Sequence, residues 1–123
     1  MYPADLKYTK DHEWIRVDTD VADVGITHFA QQQLGDVVFV ELPQVGRVLA
    51  QGEVFGTIES VKAVSELFSP VAGEIVAVND ALTSAPEQVN AEPHVAWIIR
   101  VRTSNSADLD ALLDADAYTQ HVG

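Results

Sequence analysis

Glycine, proline and acidic turn residues cut this chain into short β-rich runs, and that punctuation leaves few architectures open. Glu13 to Val17 alternates, with Trp14 and Arg16 on one face and Ile15 and Val17 on the other. Val21 to Ile26 follows across Asp18-Thr19-Asp20, a spacing that suits a hairpin. Val37 to Leu42 reads as a buried strand, stopped by Pro43. Arg47 to Leu49, Val54 to Glu59, Val64 to Phe68, Gly73 to Val78 and Trp97 to Val101 extend the series. Runs this short and this numerous predict a β-sandwich or barrel.

Two segments break the β pattern. Thr27 to Leu34 starts on an N-capping threonine and ends before Gly35, so it reads as a short helix. From Ser106, Leu109, Leu112, Leu113 and Ala117 form a helical stripe, with Asp108 and Asp110 in the first turn where negative charge suits the dipole. A C-terminal helix over about 106–121, capped by Ser106 and packed on the sheet, is the expectation. A weak repeat also exists. Pro43-Gln-Val-Gly46-Arg-Val48 and Pro70-Val-Ala-Gly73-Glu-Ile75 lie 27 residues apart and flank Glu59 to Val64. Two such units predict a pseudo-two-fold sandwich with the central segment at a hairpin tip.

Composition removes whole classes of chemistry. The 123 residues suit one domain, and 47% hydrophobic residues suffice for a core. Cysteine is absent, which excludes disulfides, thiolate metal sites and cysteine nucleophiles. Seven Lys and Arg against 19 Asp and Glu give a net charge of −12, a surface that repels phosphate backbones. No run of 18 apolar residues exists. The N-terminal stretch has neither a signal-peptide core nor an Arg-rich transit pattern, so the expected address is the cytoplasm. His12-Glu13 begins like a zinc-protease motif, but position 16 is Arg. The other histidines are scattered, and Gly-x-Ser-x-Gly, Ser-x-x-Lys and glycine-rich phosphate loops are missing. The chain lacks most ways of building its own catalytic site.

One cation stands out. Lys62 is alone between Arg47 and Arg100, among the acidic Glu59 and Glu66 and between two strand-like runs. At a hairpin tip its ε-amine is free on a flexible stem and open to acylation, which removes its charge. Taken alone, such a lysine reads first as a solvated turn residue paired loosely with Glu59 or Glu66.

Its surroundings are more specific. Glu59-Ser-Val-Lys-Ala-Val64, followed by Phe68-Ser-Pro-Val-Ala-Gly-Glu74, resembles the lipoylation hairpin of the glycine cleavage H-protein family. Tyr8-Thr-Lys-Asp-His-Glu-Trp14, Val24-Gly-Ile-Thr27 with Ala30-Gln31, and Leu34-Gly-Asp-Val-Val-Phe-Val-Glu-Leu-Pro43 match in the same register. Trp97 to Val101 and the C-terminal leucine run also fit. Lipoyl domains of 2-oxoacid dehydrogenases share only the hairpin, and biotin carriers usually place Met where this chain has Val61 and Ala63. Two stretches depart from the family pattern: Asn90 to Trp97 is shorter and lacks a glycine before the tryptophan, and the Asp18 to Asp23 turn is short.

The resemblance implies an all-β, two-sheet barrel-sandwich hybrid of the lipoyl/biotinyl carrier type, with a C-terminal helix and Lys62 at a hairpin tip. It implies a carrier rather than an enzyme, with lipoate amide-linked to Lys62. The implied partners are the glycine decarboxylase (a pyridoxal-phosphate enzyme), the aminomethyltransferase that serves tetrahydrofolate, dihydrolipoyl dehydrogenase and a lipoylating enzyme. The sulfur chemistry would then belong to the cofactor. An unmodified interaction module, or a lipoyl donor to other lipoyl-dependent complexes, is the alternative. Glu13 reads either as an arm-docking carboxylate or as an ordinary strand residue. Glu59 and Glu66 read either as recognition residues for the lipoylating enzyme or as solvated turn charges. His12 is expected at the surface, and Trp14 and Trp97 in the core.

Overall fold

A computed structural model describes residues 2–123, and of Ser106 only the backbone. The strands are β1 (Lys7–Tyr8), β2 (Glu13–Asp18), β3 (Val21–Ile26), β4 (Val37–Glu41), β5 (Val48–Leu49), β6 (Val54–Ser60), β7 (Val64–Phe68), β8 (Gly73–Val78) and β9 (Ile99–Thr103). The helices are α1 (His28–Leu34), α2 (Ala81–Ser84), α3 (Gln88–Ala91) and α4 (Ala115–Val122), with a 3-10 segment at Ser106–Ala111. A six-stranded sheet runs β1-β2-β3-β9-β8-β5 and a three-stranded sheet runs β4-β6-β7. These are two open sheets, so the hybrid is a sandwich and does not close into a barrel.

Register explains the core. Ile15 pairs with Val24 and Val24 with Ile99, which sets three apolar side chains in one row across the large sheet. Ala22, Val101 and Ile75 form the next row. All six are buried, and Val40, Ile58 and Leu67 of the small sheet join the same cluster. The two repeated Pro-Gly units pair with each other. Val48 lies opposite Glu74 and Leu49 opposite Gly73, while Gly46 N–H donates to the Ile75 carbonyl at 2.8 Å. The hairpin β6–β7 is the segment between them.

Strand β2 buries both its faces, which simple alternation does not foresee. Ile15 enters the main core, and Trp14 belongs to a second cluster with Leu6, Tyr8 and Tyr118. Trp14 Nε1–H donates to the Pro93 carbonyl at 2.7 Å. Trp97 is half-buried at the margin of that cluster, with the Arg100 guanidinium 3.9 Å from its ring centre.

The C-terminal expectation needs correction. One helix over 106–121 does not form; a 3-10 segment and α4 stand in its place. Leu113 breaks the run by exchanging two backbone hydrogen bonds of 2.8 Å with Tyr8. The reason lies in where the leucines must go. Leu109 and Leu112 pack on the main core and Leu113 on the second cluster, a division one straight helix does not achieve. Capping follows suit. Asn105 Oδ1 accepts from Ala107 N–H at 3.0 Å, and Asp114 Oδ1 accepts from Ala117 N–H at 2.8 Å. The expected cap by the Ser106 side chain lies outside the described residues. Helix α4 docks through Tyr118, whose ring stacks on Tyr8 and whose hydroxyl bonds Thr27 Oγ1 at 2.7 Å and His12 Nδ1 at 2.8 Å. His12 is therefore a half-buried anchor for this helix rather than a free surface residue.

Helix α1 forms as expected. Thr27 Oγ1 accepts from Ala30 N–H at 3.2 Å, and Gly35 ends the helix at φ 79°. Strand β4 is not the buried strand expected. A register shift between Val37 and Phe39 turns Val38 and Phe39 outward, each 49% exposed. Helices α2 and α3 have no counterpart in the sequence pattern; each is one turn that buries a single residue, Leu82 or Val89. Among the described residues no helix is long and apolar enough to cross a membrane.

Candidate functional site

The tip of the β6–β7 hairpin is a defined object. Glu59 opposite Val64 is its last strand pair. Ser60 N–H then donates to the Ala63 carbonyl at 2.8 Å, while Ser60 Oγ accepts from Ala63 N–H at 3.0 Å and Lys62 N–H at 3.3 Å. A short hydroxyl side chain can fold back on the turn in this way, and Ser60 is buried to do it. Val61 N–H donates to the Asp36 carbonyl at 3.0 Å, which ties the tip to the α1–β4 turn.

Lys62 is exposed and makes no ion pair among the described residues, so the expected pairing with Glu59 or Glu66 is not formed. Its aliphatic stem runs over Gly35, where a Cβ would sit 3.4 Å from Lys62 Cε. Glycine suits this position by its positive φ, while the lysine above it stands at ordinary contact distance.

Asn90 holds the turn from below. Its Oδ1 accepts from Val37 N–H at 2.8 Å, and its Nδ2 donates to the Gly35 carbonyl at 2.8 Å and to Gln31 Oε1 at 3.0 Å. One side chain thus satisfies both flanks of Asp36, whose carbonyl supports the hairpin tip. Asn90, Gly35 and Ser60 escaped sequence reasoning as site residues. Only Gly35 carried a local signal, as the residue after a helix.

Glu13 sits elsewhere. It is 2% exposed and borders a cleft of about 320 Å³ lined by Thr9, Lys10, Gln51, Phe68 and Leu112 among others. Thr9 Oγ1–H donates to Oε1 at 2.6 Å and Phe68 N–H donates to Oε2 at 3.2 Å. Burial pushes the carboxyl up to about 7, against the downward pull of those hydrogen bonds. Phe68 ends β7, whereas Lys62 precedes that strand. At about 3.3 Å per residue the two sites are about 20 Å apart along the chain. Glu59 and Glu66 are exposed on the outer face of the small sheet, Glu59 in the row of Phe39 and Val64 and Glu66 opposite Thr57. Three of the expected site residues therefore share one hairpin, and Glu13 stands apart at its foot.

Residues 6–123 match the family profile described as Glycine cleavage H-protein. The glycine cleavage system H protein of Symbiobacterium thermophilum is 60% identical over 117 residues, covering 94% of this chain and 91% of that protein. The one from Bacteroides fragilis is 57% identical over 118 residues, covering 95% and 94%. The crystal structure of a glycine cleavage system H protein from Mycobacterium marinum is similar with a TM-score of 0.90 at 38% identity, over 97% of each chain. With likeness of sequence and of fold running nearly end to end, through the lysine hairpin, the chain belongs to the glycine cleavage H-protein family.

Proposed function

We propose that this chain is the lipoyl carrier of a glycine cleavage system, with lipoate amide-linked to Lys62. It takes an aminomethyl group from the glycine decarboxylase to the aminomethyltransferase and is reoxidised by dihydrolipoyl dehydrogenase. Its role is that of a carrier substrate visited by other enzymes, and the address that goes with this reading is the cytoplasm. The observation that carries the reading is an exposed lysine, without an ion pair among the described residues, on a hydrogen-bonded hairpin tip in a chain of this family.

The residues fit the group. Nothing in the described structure covers the tip, and Lys62 Nζ is reachable by an acylating enzyme. A neutral Nζ attacks the carbonyl carbon of an activated lipoyl group, an acyl adenylate or thioester. The amide C–N bond forms, the leaving group departs with its electron pair, and Nζ loses a proton. When bound, the lipoyl group supplies the sulfur chemistry that a chain without cysteine lacks.

The fixed turn of Ser60, Asp36 and Gly35 presents the amine while the stem stays flexible. Glu13 and its cleft serve as the docking place for the cationic end of the cargo, because a carboxyl held near neutrality ionises readily when a cation arrives. Glu59 and Glu66 remain the acidic residues offered to the lipoylating enzyme.

Intact mass of protein from its native source, with peptide mapping, tests the attachment. One lipoyl group on Lys62 is the expected result, and an unmodified lysine in a cell that lipoylates other proteins overturns it. Lys62→Arg should fold normally and carry nothing, because a guanidinium does not form the amide.

A further inference from the structure

The small sheet leaves an outer face that no other element among the described residues covers. Antiparallel sheets commonly wet one face, but that face is then polar. Here it carries Phe39 at 49% exposure and Val64 at 66%, in one row with Glu59 between them. Val61 at the tip is 69% exposed. The next row is Glu41, Thr57 and Glu66. At about 4.8 Å per strand, Phe39 and Val64 stand about 10 Å apart on either side of Glu59. The register shift between Val37 and Phe39 is what brings the aromatic ring to this face.

We infer that this face is the docking surface for the enzyme that acylates Lys62, an enzyme surface with an apolar hollow rimmed by Lys and Arg side chains. The inference rests on Lys62 being the acylated residue. Two arguments select this occupant. An acylating enzyme brings its donor carbon within bonding reach of Nζ, so it covers the tip and the strand ends beside it. Enzymes that handle the far end of an acylated lysine have no such need. The acidic groups supply the second argument: Glu59 lies between the apolar residues and Glu41 and Glu66 flank Thr57 in the next row, so the complementary surface is basic. Phe39 is the anchor, as a large aromatic side chain with little rotamer freedom to lose.

The experiment measures KM and kcat of acylation with a purified lipoate–protein ligase, lipoate and ATP, using wild type, Phe39→Ser, Val64→Ser and Phe39→Tyr. Phe39 faces solvent, and thermal unfolding checks that each variant is folded. Phe39→Ser should raise KM about tenfold with kcat held, as expected for loss of an interface anchor, and Phe39→Tyr should restore it. Val64→Ser should raise KM in the same direction. After forced acylation at high enzyme, the rise in KM of Phe39→Ser with glycine decarboxylase should be clearly smaller. An unchanged acylation KM in folded Phe39→Ser and Val64→Ser overturns the inference. Equal rises with both enzymes also overturn it, since the face would then be common to all partners. Failure of the wild type to accept a lipoyl group condemns the reading of Lys62 instead.

Discussion

Glu13→Gln isolates the most perturbed carboxyl of the site. Burial raises Glu13 from its ordinary 4.5 to about 7, so the folded state holds its proton more tightly than the unfolded chain. The contribution of the protonated form is fully present below about pH 4.5 and is lost as pH rises through about 7. At 1.36 kcal/mol per pH unit, the whole effect is about 3 kcal/mol, of which about 2.5 kcal/mol falls between pH 5 and pH 8. The substituted glutamine does not titrate. Its amide keeps an acceptor for Thr9 and loses the acceptor for Phe68 N–H, a fixed offset that does not vary with pH. The stability of the variant should therefore gain on wild type by about 2.5 kcal/mol from pH 5 to pH 8, levelling off above that range. Urea unfolding of both proteins at pH 5, 6, 7 and 8 measures it. A difference that stays constant within about 0.5 kcal/mol would show that Glu13 ionises normally and that its burial is relieved by water.

Asn90→Ala removes three hydrogen bonds and leaves the Val37 N–H and Gly35 carbonyl without a side-chain partner, at a cost of about 2–4 kcal/mol. Amide exchange at Val61 should accelerate more than at Ile75; equal acceleration would mean the turn does not depend on Asn90. Tyr118→Phe loses the bonds to Thr27 and His12 and should cost about 1–2 kcal/mol while keeping the stack on Tyr8, read from the urea midpoint. Gly25→Ala sets a Cβ 2.6 Å from the Trp14 ring, so a cost of about 1–3 kcal/mol and a shifted tryptophan emission are expected. A net charge of −12 should make association with the decarboxylase and aminomethyltransferase slow as sodium chloride rises, because screening acts over about 8 Å at physiological strength. A salt-independent association rate in stopped flow would exclude steering.

Much was determined locally. The short β-rich runs Val21 to Ile26 and Gly73 to Val78, the threonine cap and closing glycine of α1, and the isolated Lys62 between two strands are properties of neighbouring residues. Local chemistry fixes such features wherever the segment sits, so they could be read in advance. Other features depend on partners far along the chain. Trp14 is buried only because α4 and the residues near Pro93 close over β2. The C-terminal leucines keep a helical spacing in the sequence, yet they divide between two clusters, and the backbone breaks at Leu113 to pair with Tyr8. Asn90 reaches across 53 residues of chain to Val37, in the turn whose Asp36 carbonyl holds the lysine hairpin, a link that no local pattern encodes. Phe39 reads as a core residue of an apolar run until the register with β6 turns it to solvent. Hydrogen-bonding type and periodicity belong to the sequence. Which face is covered, and by what, belongs to the tertiary structure, because burial is a property of the whole packed chain.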